Sequence, residues 1–194
     1  MSDQPRPRQV VVAYDFSTTS DEALGLAVEI ACREPIHILH IISAIDSRHG
    51  LPVAPVHKAD YEYAEKIQTM LGERVQEVFA GRRAIAEVHF FVHSRIGHPA
   101  DEVLQLSREV GADLILIGSH GRTGIDRLRL GSVSEKVARE AKCPVMVVRP
   151  KTYREVRLMD VVDDPHQHHQ YARPHRYSYI ESRVQMRPID WPLN

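Results

Sequence analysis

Apolar residues in this chain fall into short, almost unbroken runs, and between the runs they recur at helical spacing. Residues 9–14, dominated by Val10, Val11 and Val12, read as a first strand. Ser17-Thr18-Thr19-Ser20-Asp21 offers capping side chains to a helix that carries Leu24, Ala27, Val28 and Ala31 on one face. Residues 36–42 form a second apolar run. A loop with Gly50, Pro52 and Pro55 follows, and then a long helix from about Ala59 to Ala80, stopped near Gly81. Ile85 to Val92 is expected as a third strand. Pro99 sits in the first turn of a third helix, where its missing N–H is tolerated, and that helix ends near Gly111. Leu114–Ile117 is a fourth strand. Ser132 is expected to cap a fourth helix running from Val133 to Ala141, with Ser132-x-x-Glu135 as a capping box, and Val145–Val148 is a fifth strand. The order β-α-β-α-β-α-β-α-β predicts an α/β fold: an open, five-stranded parallel sheet with helices on both faces. Continuous rather than alternating apolar strands suit a sheet buried on both sides.

Composition narrows this picture only a little. A chain of 194 residues with 43% hydrophobic content fits one domain plus an extension. Its formal charge of −1 provides no basic field, so nucleic-acid binding is not expected. No run nears the roughly 20 apolar residues of a membrane span, and the polar start, Met1 to Arg8, has no signal-peptide core. It reads as a flexible arm over residues 1–8. Cys32 and Cys143 are the only cysteines, which excludes a disulfide framework and makes a cytoplasmic protein the expectation.

The candidate chemistry lies between the fourth strand and the fourth helix. Gly118-Ser119-His120-Gly121 is followed after nine residues by Gly131-Ser132. A glycine loop entering a helix lets backbone approach an anion, because glycine has no Cβ and tolerates positive φ, and the helix start presents unpaired N–H groups. The loop is neither a Walker A motif nor a dinucleotide fingerprint: Gly-Lys-Ser/Thr is absent, and Gly118, Gly121 and Gly124 have the wrong order.

Gly118-x2-Gly121-x9-Gly131-Ser132 resembles the nucleotide-binding signature of the universal stress protein family, in its ATP-binding branch. Residues 10–17, Gly97 to Val103 and Cys143 to Val148 are similar to the family's first strand with its acidic turn, its entry into the third helix and its last strand. The resemblance covers roughly residues 8–150. It implies a Rossmann-like strand order 3-2-1-4-5, which brings Asp15 and Gly118 to the crevice where the sheet reverses direction. It implies ATP as ligand, with Mg²⁺: the backbone of Gly118, Ser119, His120, Gly121, Arg122, Gly131, Ser132, Val133 and Ser134 would surround the phosphates. Hydroxyls of Ser132 and Ser134 would add contacts. Asp15 would accept a hydrogen bond from the nucleotide or hold Mg²⁺ through water, or act as an Asx-type cap. Ile41, ending strand two, matches the residue whose backbone the family offers to adenine. Arg122, Arg127 and Arg129 would neutralise phosphate or simply form a solvated basic loop. A homodimer through the bare edge strand Val145, Met146, Val147 and Val148 is also implied.

Residues 151–194 differ from the domain at 9–150. They hold His166, His168, His169 and His175, the only tryptophan, Trp191, and Tyr171, Tyr177 and Tyr179. The histidine spacing fits no structural zinc pattern, so no metal is expected. About 44 residues bury no useful core alone, and the aromatics suggest an appendage docked on the domain or on a dimer partner. Arg176 to Ile180 reads as a short strand. No nucleophile–base–acid arrangement is legible, and no G-x-S-x-G elbow occurs. The expectation is therefore an ATP-binding stress-response or regulatory dimer with an unknown protein partner and at most weak ATP hydrolysis. The alternatives are an ATP-using enzyme, by slow hydrolysis or nucleotidyl transfer, and an interaction module with a vestigial ATP site.

Overall fold

Valine at three successive positions makes β1 (Arg8–Ala13) apolar on both sides, and it lies at the middle of the sheet. The structure is a computed structural model and describes residues 8–34, 37–46, 60–121, 130–150, 175–180 and 182–188. β1 pairs in parallel with β2 (His37–Ile45) on one side and with β4 (Leu114–Gly118) on the other. β3 (His89–Ile96) and β5 (Val145–Val148) form the edges, giving the order β3-β2-β1-β4-β5. This is the expected Rossmann-like α/β sheet.

The two faces of β1 feed two separate cores. Val10, Val12 and Tyr14 point to α1 (Thr18–Arg33) and α2 (Tyr61–Phe79), where they meet Leu24, Ala27, Val28, Leu71 and Val75. Val11 and Ala13, with Ile115 and Ile117, point the other way onto α3 (Pro99–Glu109) and α4 (Ser132–Glu140), against Val103, Leu104, Leu106 and Val137. Alternation along a strand thus fills both cores from one sequence run.

Three boundaries differ from the sequence expectation. β2 continues to Ile45, so Ile41 lies mid-strand opposite Val12, fully buried, and does not end the strand. β3 starts at His89 rather than Ile85. Ile85 is 71% exposed and joins the fold through its N–H, which donates to the Cys32 carbonyl at 3.1 Å. The apolar run misplaced the strand because β3 is an edge whose pairing follows the extension of β2, with Ser43 opposite Ser94 and Ile45 opposite Ile96. The N-cap of α4 is Gly131, so Ser132 is its first helical residue and no side-chain cap is made.

The chain divides into two units, Met1–Pro150 and Lys151–Asn194. In the second, β6 (Arg176–Ile180) pairs antiparallel with β7 (Arg183–Arg187). β6 coincides with the strand expected at residues 176–180; β7 has too little apolar patterning to be read from sequence. The expected arm over residues 1–8 falls outside the described residues except for Arg8, which begins β1.

Candidate functional site

The turn leaving β1 is built from short polar side chains that bond locally. Asp15 Oδ1 accepts the Ser17 N–H at 3.1 Å, and the same N–H is shared with Ser20 Oγ at 3.1 Å. Ser20 Oγ donates to the Ser17 carbonyl at 2.8 Å, and Ser17 Oγ accepts the Ser20 N–H at 3.3 Å. Ser17 and Ser20 form the capping box of α1. Between Asp15 and this box Phe16 adopts φ 64°, a left-handed conformation that a bulky residue holds only when its surroundings force it. Its ring packs edge-on against Tyr14 at 5.0 Å. Tyr14 OH in turn donates to Asp21 Oδ1 at 2.5 Å, and Arg74 of α2 bonds the same Asp21 oxygen at 3.0 Å. Burial, with the bond to Asp21, pushes the Tyr14 hydroxyl well above its ordinary pKa and keeps it a donor. The turn is thereby bolted to two helices.

The loop after β4 is tied from inside. The Ser119 N–H donates to the Val148 carbonyl at 2.9 Å, continuing the sheet by one residue. The Ser119 carbonyl accepts the Gly131 N–H at 2.9 Å and the Ser134 hydroxyl at 3.1 Å. Ser134 Oγ also lies 2.9 Å from the Gly131 carbonyl. Ser119 Oγ meets His120 Nδ1 at 2.9 Å. Thr19 Oγ1 donates a very short hydrogen bond to the His120 carbonyl, clamping the loop onto the first turn of α1.

The three signature glycines do different work, and none has positive φ. A Cβ on Gly118 would lie 2.6 Å from Thr19 Oγ1 and 2.8 Å from the Thr19 carbonyl carbon, so glycine lets the end of β4 touch α1. A Cβ on Gly121 would lie 3.0 Å from Asp15 Oδ2. Asp15 thus makes the Asx-type cap that was one of its two expected roles, and its second oxygen faces the glycine loop. A Cβ on Gly131 would meet only ordinary contacts, the nearest at 3.5 Å. Of the two properties expected of these glycines, positive φ is used at none of the three, and the missing Cβ matters at Gly118 and Gly121 but not at Gly131.

Chemically, the start of α4 suits an anion. The N–H groups of Ser132, Val133 and Ser134 lie in the first turn of α4, where the helix itself supplies no acceptor. Ser132 and Gly121 are exposed, whereas Ser119 and Ser134 are buried, with their hydroxyls turned to the loop. The Ser134 hydroxyl, expected to add a phosphate contact, is here bonded to the Ser119 and Gly131 carbonyls. Ile41 presents no side chain to the crevice, being part of the α1 core. Arg122, Arg127 and Arg129 lie outside the described residues, as do His166, His168 and His169. Among the described residues no group of three or more His, Cys, Asp or Glu could hold a metal ion. No helix among them is long and apolar enough to cross a membrane.

The model of the universal stress protein family matches residues 7–149 of this sequence. The chain belongs to the universal stress protein family. It is similar to universal stress protein YxiE of Bacillus subtilis, with 33% identity over 149 residues, 73% of this chain and 98% of that one. Universal stress protein UspA of Lactobacillus plantarum has the same fold, with TM-score 0.55 and 22% identity over 75% of this chain and all of that one. A universal stress protein solved in complex with cAMP matches at TM-score 0.50 and 26% identity, covering 74% of this chain and 98% of that one. The family model stops short of residues 151–194.

Sequence reasoning missed Thr19, Phe16 and the Tyr14–Asp21–Arg74 cluster. Ser17-x-x-Ser20 signalled a cap, but nothing in the sequence tells that Thr19 reaches a loop about a hundred positions away. Nor does a phenylalanine announce left-handed φ.

Proposed function

We propose that this universal stress protein binds ATP with Mg²⁺ at the crevice between Asp15 and the start of α4, and that nucleotide occupancy biases a regulatory dimer in a stress response. One observation carries the reading. The β4–α4 loop satisfies its own Ser119, Gly131 and Ser134 groups internally, while Asp15 Oδ2 faces Gly121 across it. What is left over suits a phosphate on the first-turn N–H groups of α4 and a polar or cationic group at Asp15. A bare carboxylate beside polyphosphate is repulsive. Asp15 therefore suits a ribose hydroxyl or a hydrated Mg²⁺, not direct phosphate contact. The relative solved with cAMP supports an adenine nucleotide as the class of ligand.

Binding rather than turnover fits the chemistry of the described residues. The buried hydroxyls of the candidate site, Ser119 and Ser134, are committed to bonds within the loop and are not poised as nucleophiles. Nucleotide then acts as a ligand that prefers one state of the protein. The partner state proposed is a homodimer through β5, which is an edge strand and leaves Met146 39% exposed. Calorimetric titration with Mg-ATP, Mg-GTP and cAMP tests the ligand: ATP binds, GTP binds at least about tenfold more weakly, and Asp15→Asn weakens ATP. No heat at millimolar Mg-ATP refutes the reading.

A further inference from the structure

The hairpin β6–β7 gathers four apolar residues on one side. Its register places Tyr177 opposite Met186 and Tyr179 opposite Val184. All four therefore share one face. They remain 55%, 62%, 72% and 69% exposed for Tyr177, Met186, Tyr179 and Val184. The other face holds Arg176, Ser178, Arg183, Gln185 and Arg187, with Arg187 Nε donating to Ser178 Oγ at 2.9 Å. We propose that the apolar face is a self-association surface, covered by the same face of a second copy of this chain.

Size and chemistry select this occupant. A two-stranded hairpin is marginal in water and gains independent stability when a hydrophobic face is packed. With roughly 150–250 Å² for a buried tyrosine, the four side chains leave on the order of 400 Å² uncovered, a patch size that marks interaction sites. The face carries no carboxylate, ammonium or guanidinium, so it is self-complementary and needs no matching charge. Face-to-face pairing about a two-fold axis makes a small four-stranded sandwich and turns both arginine faces outward. A nucleic-acid strand is disfavoured, because the tyrosines and the arginines lie on opposite faces and one strand cannot stack on the first while pairing with the second.

Two such faces bury on the order of 800 Å², short of the roughly 1,200 Å² of a free-standing interface. The pairing therefore reinforces a dimer joined elsewhere, and for that second contact it rests on the β5 reading. Residues 151–175 supply 25 positions of chain between domain and hairpin, a reach of roughly 80 Å if extended. That span lets two hairpins carried by one dimer reach each other.

The test uses the full chain. A sample mixed from copies with isotope-labelled methionine methyls and unlabelled copies is examined by filtered NOE spectroscopy at concentrations where sedimentation shows dimer. The expected result is NOEs from the Met186 methyl to tyrosine rings of the other copy. Tyr179→Lys with Val184→Lys should raise the dimer Kd at least about tenfold, while Ser178→Lys on the polar face leaves it unchanged. A dimer without intermolecular Met186 NOEs, or with an unchanged Kd in the double variant, overturns the hairpin pairing and leaves β5 pairing standing. A monomer at every concentration overturns both.

Discussion

Gly118 and Gly131 look alike in the sequence and are not alike in the molecule. At Gly118 an added methyl collides with the Thr19 backbone at 2.8 Å, and backbone cannot swing away as a side chain does. Gly118→Ala should therefore cost about 1–3 kcal/mol of stability by overpacking, measured by urea unfolding. Gly131→Ala meets nothing closer than 3.5 Å and should unfold within about 0.5 kcal/mol of wild type. Equal losses for the two would mean that the glycines share one role after all. A second residue-scale effect lies across the sheet. His40 Nε2 lies 2.8 Å from Gln9 Oε1, and its Nδ1 lies 3.1 Å from His93 Nε2. With His40 donating to Gln9, His93 must donate to His40, so the pair fits two neutral rings. Burial first, then His40 and Arg95, hold the His93 pKa down to about 4; Glu109 opposes them. An unfolded histidine titrates near 6.5. Between these values the unfolded chain takes up a proton that the folded chain refuses. Stability is thus full above about pH 6.5 and falls as pH drops toward about 4, by on the order of 2 kcal/mol once solvent screening of the half-exposed ring is discounted from the full shift. His93→Gln should flatten the decline between about pH 6.5 and 5; an unchanged slope in urea unfolding would contradict this.

At the scale of elements, the parts that depend on local sequence were legible and the parts that depend on distant pairing were not. The alternation of apolar runs located four of the five domain strands within a few residues, because a strand buried on both sides must be apolar throughout. β3 was misplaced because its outer edge is unpaired and its residues are mixed: His89, Phe91, His93 and Arg95 alternate with Phe90 and Val92. The end of β2 was cut short for the same reason, since Ser43 and Ala44 break the apolar run. Of the site, the glycine spacing and Asp15 could be read; the tie from Thr19 to the His120 carbonyl could not. That tie gives a prediction. Thr19→Val keeps the shape and loses the hydroxyl, leaving a loop carbonyl without its donor. Nucleotide affinity should fall roughly tenfold while stability falls by only about 1 kcal/mol, and Thr19→Ser should restore affinity. Affinity unchanged in Thr19→Val would show that the loop holds its form without α1.

For the whole molecule, the division at Pro150 separates a unit with its own two cores from a hairpin with an uncovered face. Truncation after Pro150 should leave the domain folded and its nucleotide affinity within about twofold, while dimerisation weakens. Sedimentation paired with calorimetry checks both halves of this statement, and loss of nucleotide binding on truncation would contradict it. The central claim is the nucleotide itself. The most direct measurement is the small-molecule content of freshly purified full-length protein, released by denaturation and read by mass spectrometry beside a Gly121→Val variant, whose side chain would fill the space between the loop and Asp15. ATP released from the wild-type chain and missing from the variant is the predicted result. A wild-type chain that releases no adenine nucleotide, and that also fails to take up added Mg-ATP at millimolar concentration, would contradict the account.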